Sequence, residues 1–405
     1  PGIANATQVI WFVANDLNSN LAVGLYGSPP IGLEMQVTMW AYAQPGPLAN
    51  TIFKRVRLIY KGKPNTPINA YIDSMYIAQW SDPDLGDYGD DFAGCDTVLN
   101  LGFVYNATPR DPEYANFGLN PPAAGYSFLQ GPLKYTGNAN DTAIFDLKKK
   151  VGYRNLKMTA YTIFVPDFWG EGCMYYNCTV QLYNRMTGRP PKPQGPPPPD
   201  SLIDPVTGLR TSFWVNGNPV SGTGWIDGMI DPPGDRRFLQ VSGPFAMQLG
   251  DTQEVVIALV CGLGCDRLSS VTAMKENCKS TQTIFKNLFQ LLPLQSFSTI
   301  TKTISPSESQ LFITANAQGT SATSINLQVW RCSDSLTETF QLFDDGAHND
   351  GNANDKIFAN IISVAPRPSP NFIDATITYA NNETMFLSRV AEYVSSFTVH
   401  TIHYS

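Results

Sequence analysis

Alternation of apolar and polar side chains is the main pattern in this sequence, and it predicts β-strands. The pattern is clearest in residues 33–42, where Leu33, Met35, Val37 and Met39 fall on one face. Other segments, some alternating and some compact apolar runs, predict further strands at 8–15, 53–60, 70–80, 99–105, 156–164, 180–183, 211–225, 237–247 and 254–260. The apolar segment 8–15 lies close to the start of the sequence, where it could pair with this chain or with a neighbouring one.

The period of the apolar positions changes after residue 266. Leu268, Val271 and Met274 recur every three residues, a spacing that places them on one face of a helix. Asp266 stands directly before this segment and is a suitable N-cap. The pattern therefore predicts one long helix over residues 267–291, with its apolar face packed against a sheet.

Short strand-like segments follow the helix at regular spacing. They lie at 310–317, 325–331, 337–343, 357–364, 372–379 and 395–403, a density typical of an immunoglobulin-like sandwich. The sequence therefore predicts a mainly β fold with two domains. The first, residues 1–292, is a large jelly-roll-like β-sandwich that includes the helix and a proline-rich, extended surface connection at 189–200. The second, residues 293–405, is an immunoglobulin-like β-sandwich.

The composition adds a cellular location to this picture. Charged residues make up 15% of the chain, below the ~25% of a typical soluble protein, while 31 Pro and 32 Gly supply turns. These features favour a loop-rich extracellular protein. The net charge of −7 and the lack of a basic stripe argue against nucleic-acid binding. No apolar run approaches the ~20 residues of a membrane helix, so we expect no membrane span.

The chain has seven cysteines, an odd number, so they cannot all pair with one another. Secretion favours at least one disulfide, which leaves one cysteine free or paired with another chain. Cys261 and Cys265 are the better placed pair, because the two glycines between them allow a sharp turn. Cys173 and Cys178 could pair only if the chain between them turns back on itself.

An acidic stretch, residues 80–96, carries the densest chemistry in the chain. Proline and glycine interrupt it often enough to predict an irregular excursion between two strands. Carboxylates this close repel one another unless a cation or buried donors compensate. Because Ca²⁺ prefers carboxylate and carbonyl oxygens on a wrapping backbone, we expect a calcium site here. Its candidate ligands are Asp82, Asp84, Asp87, Asp90 and Asp91, and the alternative is a hydrated acidic turn.

A second Asp/Asn-rich loop, residues 343–355, lies in the predicted immunoglobulin-like domain. Its spacing matches the opening of an EF-hand loop but not its end, because Ile361 stands where the closing Glu is expected. A simpler calcium site remains compatible with the residues, and a β-hairpin turn is the alternative. The candidate ligands are Asp345, Asp350, Asn352, Asn354 and Asp355.

Several segments resemble a family of large secreted proteins of environmental bacteria, many of them anchored at the cell surface. The resemblance is carried by WSDPDLGDYGDDFAGCDTVLNLGFVYN at 80–106, LYGSPPIGLEMQVTMWAY at 25–42 and DRRFLQVSGPFAMQLGDTQEVVIA at 235–258. FQLFDDGAHNDGNANDKIFAN at 340–360 resembles the DDGxHGDG-type loop of immunoglobulin-like modules, with Asn349 in place of the first Gly after His. The family is mostly uncharacterised, so the resemblance implies an extracellular location and a modular architecture rather than an activity.

Catalytic motifs are missing from the sequence. It has three histidines and no HExxH, GxSxG or P-loop pattern, so we expect a protein that is not an enzyme. We predict an extracellular structural protein that assembles with copies of itself into a filament, sheath or layer. The alternatives are a glycan-binding adhesin, with Trp169, Trp214 and Trp225 as aromatic contacts, and a β-sandwich enzyme that degrades polysaccharides.

Overall fold

The computed structural model describes residues 3, 5–164, 176–191, 202–290, 294–305, 308–332, 337–364 and 367–395. It confirms a mainly β fold built from antiparallel sheets. The chain forms two compact units, Pro1–Tyr42 with Thr51–Cys278, and Ala43–Asn50 with Lys279–Ser405. The division therefore falls at residue 278, whereas the sequence pattern predicts a boundary after residue 292.

The elements of the first unit follow one another from Gln8 to the long helix. In order they are β1 (Gln8–Asn15), α1 (Ser19–Tyr26), β2 (Leu33–Ala41), β3 (Thr51–Tyr60), β4 (Tyr71–Ser81), β5 (Asp91–Asp96), β6 (Leu101–Asn106), α2 (Pro112–Ala115), β7 (Ala123–Gln130), β8 (Leu133–Tyr135), β9 (Thr142–Phe145), β10 (Lys148–Val151), β11 (Tyr153–Asn155), β12 (Met158–Phe164), α3 (Tyr176–Met186), β13 (Leu202–Ile203), β14 (Arg210–Thr211), β15 (Arg237–Gln248) and β16 (Thr252–Gly262). Helix α4 (Arg267–Lys286) crosses the division between the units.

A seven-stranded sheet is the centre of the first unit. Its strand order is β1-β2-β3-β16-β7-β6-β5, and each neighbouring pair is antiparallel. A second sheet, β12-β15-β4, packs on one face. Val37, Val56 and Ile257 of the large sheet meet Ile163 and Phe238 of the smaller one in the core. The first unit is therefore a sandwich, as the alternating pattern predicts.

The opposite face of the large sheet is covered as well. Residues alternate between the two faces of a strand, so Val256 and Ala258 of β16 lie opposite the sandwich core, and both are fully buried. Helix α4 packs on this face at the end of β16, where a Cβ on Gly262 would come within 2.1 Å of the Met274 backbone nitrogen. Glycine is therefore required at this close approach.

The second unit consists of two antiparallel sheets. Its strands are β17 (Ser296–Ser305), β18 (Glu308–Asn316), β19 (Ala322–Arg331), β20 (Thr337–Leu342), β21 (Ile357–Val364), β22 (Arg367–Tyr379) and β23 (Thr384–Ser395). The sheet orders are β17-β18-β21 and β20-β19-β22-β23. An isolated bridge between Phe343 and Ala359 connects the two sheets, in keeping with the sandwich predicted for this part of the chain.

Several elements differ from the sequence predictions. The segment 180–183 is part of helix α3 and not a strand, because Leu182 and Met186 share a helical face that packs against Ala160 and Leu239. The segment 211–225 is mostly turns, since glycines and a proline interrupt it. Helix α4 ends at Lys286 rather than at 291, and β5 runs through the end of the acidic stretch. Residues 192–200 and 396–403 lie outside the described part of the chain.

Candidate functional site

Strand β1 forms one edge of the large sheet and is exposed along its whole length. All eight of its residues are exposed to solvent. The five large apolar side chains from Val9 to Val13 keep between 37% and 51% of their surface accessible. Successive side chains of a strand point to opposite faces, so Val9, paired with Trp40, lies on one face of the sheet and Phe12, paired with Val37, on the other. The edge therefore presents apolar surface above and below the sheet.

The backbone of β1 also has hydrogen-bonding groups directed away from the sheet. Asp16 donates its N–H to the carbonyl of Leu33 on β2 at 3.2 Å. Hydrogen-bonded pairs alternate along an antiparallel ladder, so the N–H and C=O groups of Val9, Trp11 and Val13 point outward. Among the described strands, β2 is the partner of β1. The outer row of donors and acceptors is thus available to another strand.

The opposite edge, β5, is closed by the chain itself. Cys95 donates its N–H to the carbonyl of Val215 at 3.1 Å. The N–H of Ala93 donates to Oδ2 of Asp227 at 2.7 Å, and Arg236 holds the same carboxylate at 2.8 Å. Among the residues that the structure describes, the large sheet therefore has one edge covered by the chain's own loop and one edge open.

The structure separates the carboxylates of the acidic stretch into different environments. Asp82 and Asp84 lie near Asp235, with oxygens that are all within 4.8 Å of one another, the one such acidic trio within the described ranges. Arg237 donates to Asp82 at 3.0 Å and lies 2.8 Å from Asp235. Burial, followed by the charges of Asp82 and Asp235, raises the pKa of Asp84. This exposed trio shares one guanidinium.

Asp87 and Asp90 fix the short 3₁₀ turn between them. Asp87 accepts the N–H of Gly89 at 2.9 Å and caps the turn. Asp90 accepts a hydrogen bond from Asn106 Nδ2 at 2.8 Å and another from Thr108 Oγ1 at 2.7 Å. Hydrogen-bond donors therefore compensate the charges of these two carboxylates, as the alternative of a hydrated acidic turn requires.

Asp91 begins β5 and is almost completely buried, with 1% of its surface accessible. Its Oδ2 accepts the N–H of Leu85 at 3.1 Å, while its Oδ1 has no hydrogen-bond partner within the described residues. Burial is the main reason that its pKa is raised to about 8, and the charge of Asp90 adds to the shift. Asp91 pairs directly across the ladder with Asn106 of β6.

Asp111 is the residue of this region that sequence reasoning missed. It accepts backbone N–H groups from Asp87, Glu113 and Tyr114 at 2.8 to 2.9 Å, and so joins the acidic loop to helix α2. Burial by itself raises the pKa of Asp111, but hydrogen bonds from the backbone of Tyr114 and Asp87 outweigh it and lower the pKa. An Asp followed by Pro112 is a signal for a helix start and could have identified it.

The second loop is held mainly by its own backbone. Buried Asp350 accepts the N–H groups of Gly346 at 2.7 Å and His348 at 3.2 Å. The hydrogen bond from Gly346 is the main cause that lowers the pKa of Asp350. Asp345 accepts from His348 Nδ1 at 3.0 Å, and Asp355 accepts the N–H of Asn352 at 3.3 Å. The calcium prediction for Asp345, Asp350, Asn352, Asn354 and Asp355 stays a prediction.

Two of the predicted sugar-contacting tryptophans lie together, and Trp169 falls outside the described residues. Trp214 and Trp225 stack with ring centroids 5.9 Å apart. They line a cavity of about 640 Å³ whose walls include Arg185 and Arg236. The guanidinium of Arg185 lies 5.7 Å from the Trp214 ring, and burial lowers its pKa to about 10. Trp225 is buried, so the pair forms a cavity wall and not an open platform.

Disulfides are present, but the predicted pair is wrong. Cys178, Cys265 and Cys332 are disulfide-bonded, whereas Cys261 is a free thiol. The reason is that β16 continues to Gly262, which holds Cys261 in the ladder opposite Ala124 and prevents a turn there. No helix in the described ranges combines the length and apolar character needed to cross a bilayer.

Comparison with known proteins adds little to this geometry. No family model and no curated protein matches the chain. Among solved structures the chain is similar to a polysaccharide lyase, with a TM-score of 0.25 and 6% sequence identity. The similarity covers 90% of this chain and 34% of the lyase chain. A likeness at this level carries no argument about activity.

Proposed function

We propose that this protein is a non-catalytic extracellular structural subunit that assembles with copies of itself through strand β1. One observation carries the proposal: β1 has the composition of a buried strand but lies exposed at an edge. Its sequence, QVIWFVAN, is apolar on both faces, a pattern normally found in strands covered on both sides. A neighbouring copy would supply the missing cover.

The protective features of ordinary edge strands are absent from β1. Proteins usually guard an open edge with charged side chains, proline or a bulge. Strand β1 contains no charged residue and no proline, and its register with β2 is uninterrupted over eight residue pairs. At β5, by contrast, the chain covers the edge with its own loop. The open edge at β1 therefore supports a role in association.

A second copy is a suitable occupant of this edge. Pairing β1 with β1 of a partner in the antiparallel sense brings identical, uncharged strands together, so no like charges meet. The outward N–H and C=O groups of each strand satisfy those of the other. Apolar side chains on both faces, such as Trp11 and Phe12, lose water at the same time. Disulfides fit an extracellular location for the assembly.

The test compares a charged variant of β1 with a matched control. Trp11→Lys places a charge beside the outward backbone of the edge, whereas Val98→Lys changes a residue that is 86% exposed in the turn between β5 and β6. In analytical ultracentrifugation over a range of concentrations, we expect wild type and Val98→Lys to associate and Trp11→Lys to remain monomeric. Wild-type protein that stays monomeric at high concentration would overturn the proposal.

The aromatic cavity favours a second candidate function, the binding of a glycan. Sugar rings stack on tryptophan faces, and buried polar groups orient them. Here the stacked Trp214 and Trp225 adjoin Arg236, whose Nη1 is buried and has no hydrogen-bond partner within the described residues. A glycan array comparing wild type with Trp214→Ala tests this function. Signals that are equal for the two proteins would count against it.

A further inference from the structure

Two residues that face each other across β5 and β6 each bury a side-chain oxygen. Asp91 and Asn106 are directly paired in the antiparallel ladder, so their side chains extend to the same face. Asp91 is 1% exposed and Asn106 is 0% exposed. Asp91 Oδ1 and Asn106 Oδ1 both lack a hydrogen-bond partner within the described part of the chain. Two neighbouring acceptors without a donor are costly to bury.

The orientation of the Asn106 amide is determined by its surroundings. Its Nδ2 donates to Asp90 Oδ1 at 2.8 Å and to Asp111 Oδ2 at 3.3 Å. A flipped amide would place its oxygen against both carboxylates, and an oxygen cannot donate to them. The amide oxygen is therefore the atom left without a donor. The amide lies within the acidic cluster that Asp90, Asp91 and Asp111 form.

The charges around Asp91 are predominantly negative. Asp84, Asp90 and Asp111 each act on the Asp91 carboxyl as like charges, in addition to the effect of burial. The pKa values of Asp84 and Asp90 are also raised, in both cases chiefly by burial. Arg267 approaches this region but donates to the backbone carbonyl of Asn106 at 3.1 Å. The cluster has acceptors in excess, which is the environment that attracts a cation.

We propose that Asp91 Oδ1 and Asn106 Oδ1 are ligands of a bound divalent cation, with Ca²⁺ the best chemical match. Carboxylate and amide oxygens are the ligands that Ca²⁺ takes in proteins, and water and backbone carbonyls complete its shell. The cation satisfies both unpartnered oxygens and offsets the repulsion from the neighbouring carboxylates. Asn106 thereby joins a site for which the sequence indicated only residues of the acidic stretch.

A proton on Asp91 is the competing explanation. An Oδ1–H of Asp91 could donate to Asn106 Oδ1 and satisfy both atoms. One proton neutralises Asp91 but leaves Asp84, Asp90 and Asp111 to repel one another, whereas a divalent cation compensates more of the cluster. Asp91→Asn separates the two cases. The asparagine amide imitates a protonated carboxyl as a donor, but it removes the charge that a cation needs.

The experiment uses the full chain, stripped of metal with EDTA and then titrated with Ca²⁺ in a thermal melt. At Ca²⁺ concentrations of about 100 times Kd, we expect the Tm of wild type to rise by about 5 °C. The rise should be lost in Asp91→Asn and kept in Asp82→Asn, which alters the exposed trio instead. If Ca²⁺ leaves wild type unchanged and Asp91→Asn melts at the wild-type temperature or above, Asp91 holds a proton and the proposal is wrong.

Direct binding keeps the proposal testable if Asp91→Asn does not fold. Equilibrium dialysis of wild type against Ca²⁺ should give a tightly bound ion that both Asp82→Asn and Asp345→Asn retain, because neither the exposed trio nor the second loop holds it. If Asp82→Asn abolishes binding, the ion belongs to the exposed trio. If wild type binds no ion, Asp91 carries a proton instead. Both results overturn the site at Asp91. Neither bears on association through β1, which ultracentrifugation of the EDTA-treated protein measures separately.

Discussion

Asp227 and Arg236 form an ion pair in which both side chains are almost completely buried, with 2% and 0% of their surface exposed. Arg236 donates to the two carboxylate oxygens at 2.8 and 3.2 Å. The same carboxylate accepts the N–H of Ala93 on β5. This one side chain therefore closes the edge of the sheet and balances a buried charge.

Removing Asp227 should destabilise the protein strongly. Asp227→Ala leaves the Arg236 guanidinium buried without its carboxylate and the Ala93 N–H without its acceptor. We expect a loss of about 3–5 kcal/mol in the free energy of unfolding, measured by urea denaturation. Lys61→Ala, which breaks an exposed pair with Glu34, should leave the midpoint nearly unchanged. A similar small effect for both variants would contradict the role assigned to Asp227.

Asp141 provides a pH-dependent contact at the same scale. Arg154 lies 2.6 Å from its carboxylate, and this hydrogen bond lowers the pKa of Asp141 below the ordinary value of 3.8. Because the folded-state pKa is depressed, the contact stabilises the fold above pH 3.8 and is lost as the pH falls through the folded value. Arg154→Gln should therefore return the pKa of Asp141 towards 3.8.

Carboxyl-carbon NMR titration of wild type and Arg154→Gln measures this change. Arg210→Gln, on the exposed short strand β14, serves as a control that should leave the Asp141 midpoint in place. An Asp141 midpoint that is equal in all three proteins would show that Arg154 has no influence on it.

Strands formed by compact apolar runs could be predicted from the sequence almost to the residue. Strands β1 and β21 match their predicted bounds, because each is a run bounded by turn residues. Strand β5 could not be predicted, since its residues DFAGCD lack alternation and it is stabilised by pairing with β6 and by loop residues far away in sequence. Tertiary pairing, and not local preference, decides such a strand.

The same reasoning explains what was missed at the acidic stretch. A run of aspartates predicts shared chemistry, but the fold sends Asp82 and Asp84 to Asp235 and sends Asp91 to Asn106. These partners come from other strands or loops, so spacing along the chain cannot reveal them. Asn106 is uncharged and ends a buried strand, so its sequence neighbourhood does not mark it as a partner of Asp91.

Strand β15 joins the two sheets of the first unit through Phe238. This side chain is fully buried and lies 5.4 Å from the Tyr161 ring and 5.6 Å from the Tyr126 ring. Phe238→Ala should cost about 3–5 kcal/mol, because the contacts are lost and a cavity remains. Guanidinium chloride unfolding measures the loss. Phe117→Ala, at a site that is 79% exposed, should change the stability little; an equal loss there would refute the assignment.

At the scale of the whole molecule, the two unlike edges of the large sheet limit how copies can join. Within the described residues β5 is closed by the chain's own loop, so an incoming β1 that extends the large sheet pairs with another β1. The contact is then isologous, and the pair is related by a twofold axis. A dimer with one continuous sheet through both first units is the expected product, and a larger layer or filament would need a second surface.

Cross-linking can locate the twofold axis. If the axis passes through Trp11, residue 11 of one chain faces residue 11 of the other. If it passes through Phe12, the two copies of residue 12 face each other. Single variants Trp11→Cys and Phe12→Cys, each on a Cys261→Ser background to remove an exposed thiol, should differ in how readily they oxidise to covalent dimers. One of the two should cross-link efficiently. If neither exceeds the background variant, the twofold axis lies at neither Trp11 nor Phe12.

If copies pair through the open edge at β1, the state of the protein depends on how much of it is present. Pairing of two copies is second order, so a dilute solution holds mainly chains whose apolar edge is in water, and a crowded surface holds mainly pairs. With a Kd of about 1 μM, equivalent to about −8 kcal/mol, a dilute secreted molecule would be monomeric and molecules crowded on a cell envelope would be paired. The run VIWFVA would then be exposed to water only while the protein is dilute, and would be covered where the protein accumulates.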